Sequence, residues 1–362
     1  MKITRIEPIH VSIPFEHGAP KPSEGLGAGG RFDALFVRVD TDAGITGWGE
    51  ALGYAAGPVT MAALTRIVAP FAVGRDATDI AGLMGELWFR TKGMSRNGPV
   101  AFALSGLDIA LWDIKGKVAG APIWKLLGGA GRPRVEAYAS LMRLGPAHVG
   151  KVAADAVARG YRHIKLHERT PEAVAAARSV TGPSIPIKVD TNCAWLPGEA
   201  DAPVAAMKAS NPHWVEEPIW PPEDFESAAR LRKATGVPIA MGENATSASD
   251  FRKMIAAGAV DFVQPSVNKI GGITKLFRIA TEAEKAGITC VPHMFYFGPG
   301  YLATLHCIAC KEREVPLERM FADVAWVPYS KTVPDVNGVV EVPDRPGLGA
   351  DPEQDMMEKF KV

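Results

Sequence analysis

Ile187-Lys188-Val189-Asp190, Trp214-Val215-Glu216 and Ala240-Met241-Gly242-Glu243 are strand-like runs that each end in an acid. The acids recur after 26 residues, from 190 to 216, and after 27, from 216 to 243. One strand, one helix and two loops occupy about that length. In a parallel α/β barrel, strand ends at this period stand side by side on one rim. Three carboxylates there repel one another, and a divalent cation removes that cost. An all-oxygen set favours Mg²⁺ or Mn²⁺ over zinc.

The alternation extends both ways. Further strand-like runs lie at 135–141, 163–168, 260–266, 288–293 and 319–322, with amphipathic stretches such as 147–159 and 224–235 between runs. Strands alternating with helices in this way predict a parallel sheet closed as a barrel. Ahead of it, 3–13 reads as a strand. Residues 34–40 and 45–49 read as a hairpin through Asp42-Ala43-Gly44. Residues 58–73, 80–90 and 100–118 read as helices, the last with Phe102, Leu107, Ala110, Leu111 and Ile114 at helical spacing. The final forty or so residues are rich in Pro and Gly and are expected to return to the first domain.

Bulk properties narrow the function. The 362 residues suffice for a large core and two domains. Lys plus Arg and Asp plus Glu balance at 40 each, so the chain carries no net charge for nucleic acid or an anionic membrane. No run of 18 apolar residues is present, and the N-terminus lacks a signal-peptide pattern. Cys193, Cys290, Cys307 and Cys310 follow no zinc spacing, and the last two read as small core residues of a helix. A reduced, cytoplasmic setting is expected.

Several motifs then occur in a recognisable order. Ala103-Leu104-Ser105-Gly106-Leu107-Asp108-Ile109-Ala110-Leu111-Trp112-Asp113 continues to Pro122-Ile123-Trp124-Lys125-Leu126-Leu127-Gly128. Val189-Asp190-Thr191-Asn192, Val215-Glu216-Glu217-Pro218, Met241-Gly242-Glu243-Asn244, Lys269-Ile270-Gly271-Gly272 and Pro346-Gly347-Leu348-Gly349 follow. Over nearly its whole length the chain resembles the mandelate racemase and muconate-lactonizing enzyme family of the enolase superfamily. The resemblance implies a modified (β/α)₇β barrel with an α+β capping domain. Residues 1–130 would form the cap, with a specificity loop at 15–31. Residues 131–325 would form the barrel, and 326–362 would return to the cap. It also implies one Mg²⁺ per subunit, with Mn²⁺ as a substitute, and abstraction of a proton alpha to a carboxylate. A homo-oligomer, dimer to octamer, is expected.

The resemblance assigns roles residue by residue. Asp190, Glu216 and Glu243 would hold the metal. The residues alone leave Glu216 and Glu217 as alternatives; the resemblance selects Glu216, with Glu217 and Asn192 in support. In His163-Ile164-Lys165-Leu166-His167, alternation puts 163, 165 and 167 on one face. The family usually carries Lys-x-Lys here, and this chain departs with Lys165-x-His167. Lys165 would contact the substrate carboxylate or the base, and His167 would stand as base on one face of the substrate. His293 would serve the opposite face. An aspartate usually orients that histidine, but Ser266 stands in its place. A serine can orient an imidazole yet cannot stabilise imidazolium by charge. Glu318 would donate to the substrate carboxylate; its alternative is a partner for Arg319. Lys269 reads mainly as structural support. His17, Lys21, Phe295 and Tyr296 would line the substrate pocket.

The leading reading is a lyase that dehydrates a hydroxy or sugar acid through an ene-diolate, with His293 as acid. A racemase or epimerase of a carboxylate or amino-acid derivative, pairing His167 with His293, comes next. A lactone cycloisomerase and a non-catalytic metal-binding protein follow.

Overall fold

The computed structural model describes residues 1–19, 30–129, 131–329, 331–333 and 335–362. Two sheets organise them. The first is antiparallel, ordered β12-β1-β2-β3, with β1 Ile3–Glu16, β2 Arg31–Thr41, β3 Thr46–Ala51 and β12 Asp323–Val324. The expected hairpin forms, with Asp40 opposite Thr46 and Leu35 opposite Ala51.

The second sheet is the parallel barrel. Its strands are β4 Arg134–Ser140, β5 Ile164–Leu166, β6 Ile187–Asp190, β7 Trp214–Glu216, β8 Ile239–Met241, β9 Phe262–Val263, β10 Thr289–Cys290 and β11 Leu317–Met320. Hydrogen bonds run β11-β4-β5-β6-β7-β8-β9-β10, and every pair in that series is parallel. A helix follows each strand from β4 to β10, which makes the (β/α)₇β order. The last strand begins at Leu317, ahead of the expected 319. Two further short strands, β13 Asp335–Val336 and β14 Val339–Glu341, extend β4 on its other edge.

The helix Pro99–Ala119 joins the two parts. Pro99 sits in its first turn and Gly120 ends it in the left-handed conformation. Its apolar side packs on β2 and β3. The approach is close: a Cβ on Gly49 would lie 1.9 Å from the Gly106 carbonyl oxygen, so only glycine fits there. Its polar side grips the barrel. Ser105 Oγ accepts from Gly271 N at 2.8 Å, and Asp108 accepts from Thr274 N and Oγ1 at 3.0 and 2.6 Å. Asp113 accepts from Trp48 N and Leu348 N at 2.9 and 2.8 Å. The motif carboxylates therefore tie strand, helix, barrel and C-terminal segment together. Buried acids cost energy unless bonded, and these are bonded.

The helical run Tyr54–Ala72 is long and apolar enough, by length and composition, to cross a membrane. Leu64, Val68 and Ala72 of it are buried in the core shared with Pro99–Ala119. It is a core helix here. The four cysteines are free; Cys307 lies on the helix Pro299–Ala309, and Cys310 caps its C-terminus.

Candidate metal and proton-transfer site

Period two sets the barrel interior. On β6 and β7, Lys188 and Trp214 each precede an acid by two residues, so Lys188 with Asp190 and Trp214 with Glu216 face inward. Asp190 and Glu216 end their strands, and Glu243 lies two residues beyond β8. One carboxylate oxygen from each lies within 4.8 Å of the others. Asp190 and Glu216 are fully buried, and Glu243 is partly open, with 13 % of its side chain exposed. The backbone bends at these strand ends. Asn192, Cys193 and Glu217 take φ of 49°, 53° and 43°, a region that costs a non-glycine residue free energy and recurs at functional sites.

Lys165 is fully buried against three acids: Glu216 at 2.6 Å, Asp190 at 3.0 Å and Glu318 at 3.0 Å. Burial alone would lower its pKa, but Asp190, Glu216 and Glu318 raise it well above the usual lysine value. Burial likewise opposes ionisation of Asp190, yet Lys165 and His167 hold its pKa below the ordinary carboxylate range. Glu216 goes the other way: burial, with Asp190 and Glu318 nearby, outweighs Lys165 and raises its pKa. One ammonium does not neutralise this nest of acids. The chemistry of the donor set and the surplus charge both fit a hard divalent cation, with Asp190, Glu216 and Glu243 as its ligands.

The two histidines flank the triad. His167 Nε2 lies 3.3 Å from Asp190 Oδ2, and its Nδ1 lies 2.5 Å from the Leu141 carbonyl oxygen. A carbonyl partner makes Nδ1 the donor and leaves Nε2 as the basic nitrogen of the neutral ring. His293 Nε2 lies 2.8 Å from Glu243 Oε2 on the other side. Ser266 does not orient it: the serine hydroxyl is bonded to the Tyr296 hydroxyl instead. The orientation that a serine at 266 could have given His293 comes instead from Glu243. The backbones of 266 and 293 form a parallel bridge, which brings the residues together without joining their side chains.

Glu318 is buried and accepts from Ser140 Oγ and Met294 N at 2.9 Å each, beside Lys165. Burial would raise its pKa, but Lys165 and His293 win and hold it low. Its surroundings favour the charged form, so here it accepts rather than donates. Arg319 points the other way, over the Phe297 and Tyr301 rings at 5.8 Å each. Glu217 Oε1 accepts from Gly242 N at 2.8 Å, which braces the backbone carrying Glu243. Asn192 N donates to Asp190 Oδ1 at 2.9 Å, while its side-chain oxygen accepts from Arg143 Nη2 at 2.9 Å. Lys269 is close enough to Glu217 and Glu243 to favour their charged forms.

The pocket residues separate. Phe295 is half-buried beside His293, with ring centroids 5.4 Å apart. Tyr296 is buried with its hydroxyl on Ser266. His17 is buried just past β1, near Phe15. Lys21 and most of the expected 15–31 loop lie outside the described residues, and Phe15 and Glu16 belong to β1.

Sequence reading passed over four groups. Trp214 Nε1 donates to Glu216 Oε2 at 2.9 Å, and Ser140 holds Glu318. Period two from Glu216 and along β4 carried that signal. Arg143 and Arg169 follow β4 and β5 and bond the segment after Asp190. No motif marked them.

Comparison with known proteins agrees with this geometry. Residues 26–128 match the mandelate racemase / muconate lactonizing enzyme N-terminal domain, and 148–356 match the enolase C-terminal domain-like family. A D-galactarolactone cycloisomerase of Agrobacterium fabrum is 32% identical, over 100% of this chain and 99% of the relative. A D-galactonate dehydratase of Ralstonia pickettii is 31% identical over 88% of each. The crystal structure of a racemase from Streptomyces coelicolor A3(2) with bound magnesium superposes with a TM-score of 0.86, at 27% identity, over 99% of this chain and 100% of that one. With both domain matches, the barrel topology and the acidic triad in agreement, this chain belongs to the mandelate racemase / muconate lactonizing enzyme family of the enolase superfamily.

Proposed function

We propose that the protein is a metal-dependent lyase that removes the proton alpha to the carboxylate of a sugar acid and expels the beta-hydroxyl. The observation that carries this reading is the placement of two imidazoles on two sides of one carboxylate triad, His167 at Asp190 and His293 at Glu243. A bound Mg²⁺ would supply positive charge to the substrate carboxylate. Asp190, Glu216 and Glu243 would hold it. Lys165, kept charged by its acids, supplies the remaining cation and does not act as base. His167 Nε2 takes the alpha proton as the Cα–H bond breaks. The freed electron pair forms a Cα–Cβ double bond as the Cβ–O bond breaks. His293 gives a proton to the departing hydroxyl, which leaves as water. The enol product tautomerises to a 2-keto acid. Proton transfers of this kind contribute about 10²–10⁴-fold each.

A second reading shares the first proton transfer. Ring opening of a sugar lactone expels a carboxylate, which needs little acid assistance. The full-length similarity to a D-galactarolactone cycloisomerase favours it.

Proton NMR in D₂O, with aldonates, aldarates and their lactones plus Mg²⁺, separates the readings. Wild type should form a keto acid, and EDTA should stop it. Calorimetry should show Mg²⁺ binding lost in Asp190→Asn. His293→Asn should block dehydration yet retain exchange of the alpha proton. Product formation unimpaired in His293→Asn favours ring opening, and a stereoisomer with no keto acid points to a racemase. Full exchange and turnover in both Lys165→Ala and His167→Asn sink the geometry, and no exchange with any substrate supports a binding protein.

A further inference from the structure

Resting on the sugar-acid reading, we propose that Arg143 and Arg169 form a second anion site at the barrel mouth that takes the distal carboxylate of a dicarboxylic sugar acid or its lactone. Arg143 stands three residues past β4 and Arg169 three past β5, on the same rim as Asp190. Both are anchored to the turn that follows Asp190. Arg143 Nη2 donates to Asn192 Oδ1 at 2.9 Å and its Nε to the His167 carbonyl oxygen at 3.3 Å. Arg169 Nε donates to the Thr191 carbonyl oxygen at 3.1 Å. Asn192 N in turn bonds Asp190 Oδ1, so Arg143 is two hydrogen bonds from the triad.

Both arginines keep unused donors. Both side chains are exposed, and among the described residues neither has a carboxylate in ion-pair contact. Glu168, which lies between them in sequence with Arg169, is buried and occupied by the N–H groups of Leu144 and Gly145 at 2.9 and 2.8 Å. A guanidinium has five N–H donors. Two are used at Arg143 and one at Arg169, all on uncharged oxygens. Partial desolvation and the neighbouring Arg169 pull the Arg143 pKa down from the usual guanidinium value, against the nearby carboxylates of Glu168 and Asp190, so the two cations feel each other. A like-charge pair costs free energy, and a carboxylate bound in fork geometry offsets it. An aldonate ends distally in a hydroxymethyl group, which offers no charge. An aldarate ends in a carboxylate.

The test is equilibrium binding by calorimetry in a His293→Asn background with Mg²⁺. The probes are galactarate, D-glucarate and D-mannarate, each against the aldonate of the same configuration. At least one aldarate should bind about tenfold tighter than its aldonate, the size of one charge-assisted contact. Arg143→Gln/Arg169→Gln should bring that ratio to within about twofold while sparing the aldonate. Arg169→Gln, which gives up a single internal hydrogen bond, should lower it by about threefold and guards against misfolding of the double variant. If no aldarate outbinds its aldonate, or the ratio survives the double variant, the proposal is overturned. Equal weakening of both ligands would assign the arginines to bracing the 191–193 turn, and overturns it too. Repeating the titrations in EDTA keeps the two readings apart. Joint loss of affinity supports the metal site whatever the ratio does. An unchanged affinity with an arginine-dependent ratio keeps the anion site and removes the metal.

Discussion

Lys165 and Lys188 are both fully buried inside the same barrel, on neighbouring strands and paired in register. Their surroundings differ completely. Lys165 meets Asp190, Glu216 and Glu318, and its pKa rises. Lys188 lies over the rings of Tyr138 at 4.4 Å and Trp214 at 5.0 Å, with His163 Nδ1 at 3.3 Å. Burial pushes its pKa down to about 7, against a partial pull from Glu318 and Glu216. Burial is the same in both cases, so partners decide the charge. The mouth of the barrel gathers charged groups that pair with one another. The layer beneath it is aromatic and closes the barrel: Tyr138, Trp214, Ala240 and Val291 form a small core of their own.

The largest expected effect breaks the mouth. Lys165→Met leaves buried acids without their ammonium. Removing one partner of a buried ion pair costs about 3–5 kcal/mol. Metal-free Lys165→Met should therefore melt well below wild type, and Mg²⁺ should recover part of the loss through binding. A melting temperature equal to wild type without metal would show that a proton, not Lys165, balances the nest.

A third buried ionisable group sharpens the same rule away from the site. Glu50, on β3, accepts from Gly300 N at 2.8 Å at the start of the helix Pro299–Ala309. Burial lifts its pKa from 4.5 to about 8, despite the Gly300 N–H and the nearby Asn268 side chain. A raised acid pKa means that the folded state holds the proton more tightly. The stabilisation is full below pH about 4.5 and is lost as pH rises through about 8, over a range of at most about 5 kcal/mol. Glu50→Gln should flatten that decline, leaving the variant the more stable of the two above pH 8 in urea melts. Parallel pH profiles for the two proteins would refute the assignment.

The smallest effect belongs to Lys188. Replacing it with methionine keeps the stem that packs between the rings and removes a charge the site does not favour. Stability should change by less than about 1.5 kcal/mol, several-fold less than for Lys165→Met. Equal losses at the two positions, measured by urea denaturation, would collapse the comparison.

How much of this was legible depends on the range of the interaction. The acids at 190, 216 and 243 announce themselves because their spacing reflects a local repeat, strand then helix. The inward face of β5 follows from alternation: Lys165 lies on it, and His167, one residue past the strand end, also reaches Asp190. Trp214 was within reach of the same period-two rule and was passed over. The partner of His293 was not within reach. Ser266 sits next to it in the bridge, as an aspartate would, but turns its hydroxyl to Tyr296, and Glu243 from a strand further round the barrel takes the imidazole.

The sequence by itself determined the elements, the barrel order and which side chains face inward, because backbone periodicity and strand–helix alternation are local properties of the chain. It also carried the three acids of the candidate metal site, since charge needs no partner to be seen in a sequence. Only the tertiary structure decided which charges meet. It gave Lys165 three acids and Lys188 two aromatic rings, paired His293 with Glu243, and set Arg143 and Arg169 together beside Asp190. The reason is physical: an electrostatic interaction depends on distances of a few ångströms between strands far apart in the chain, and closing the barrel fixes those distances.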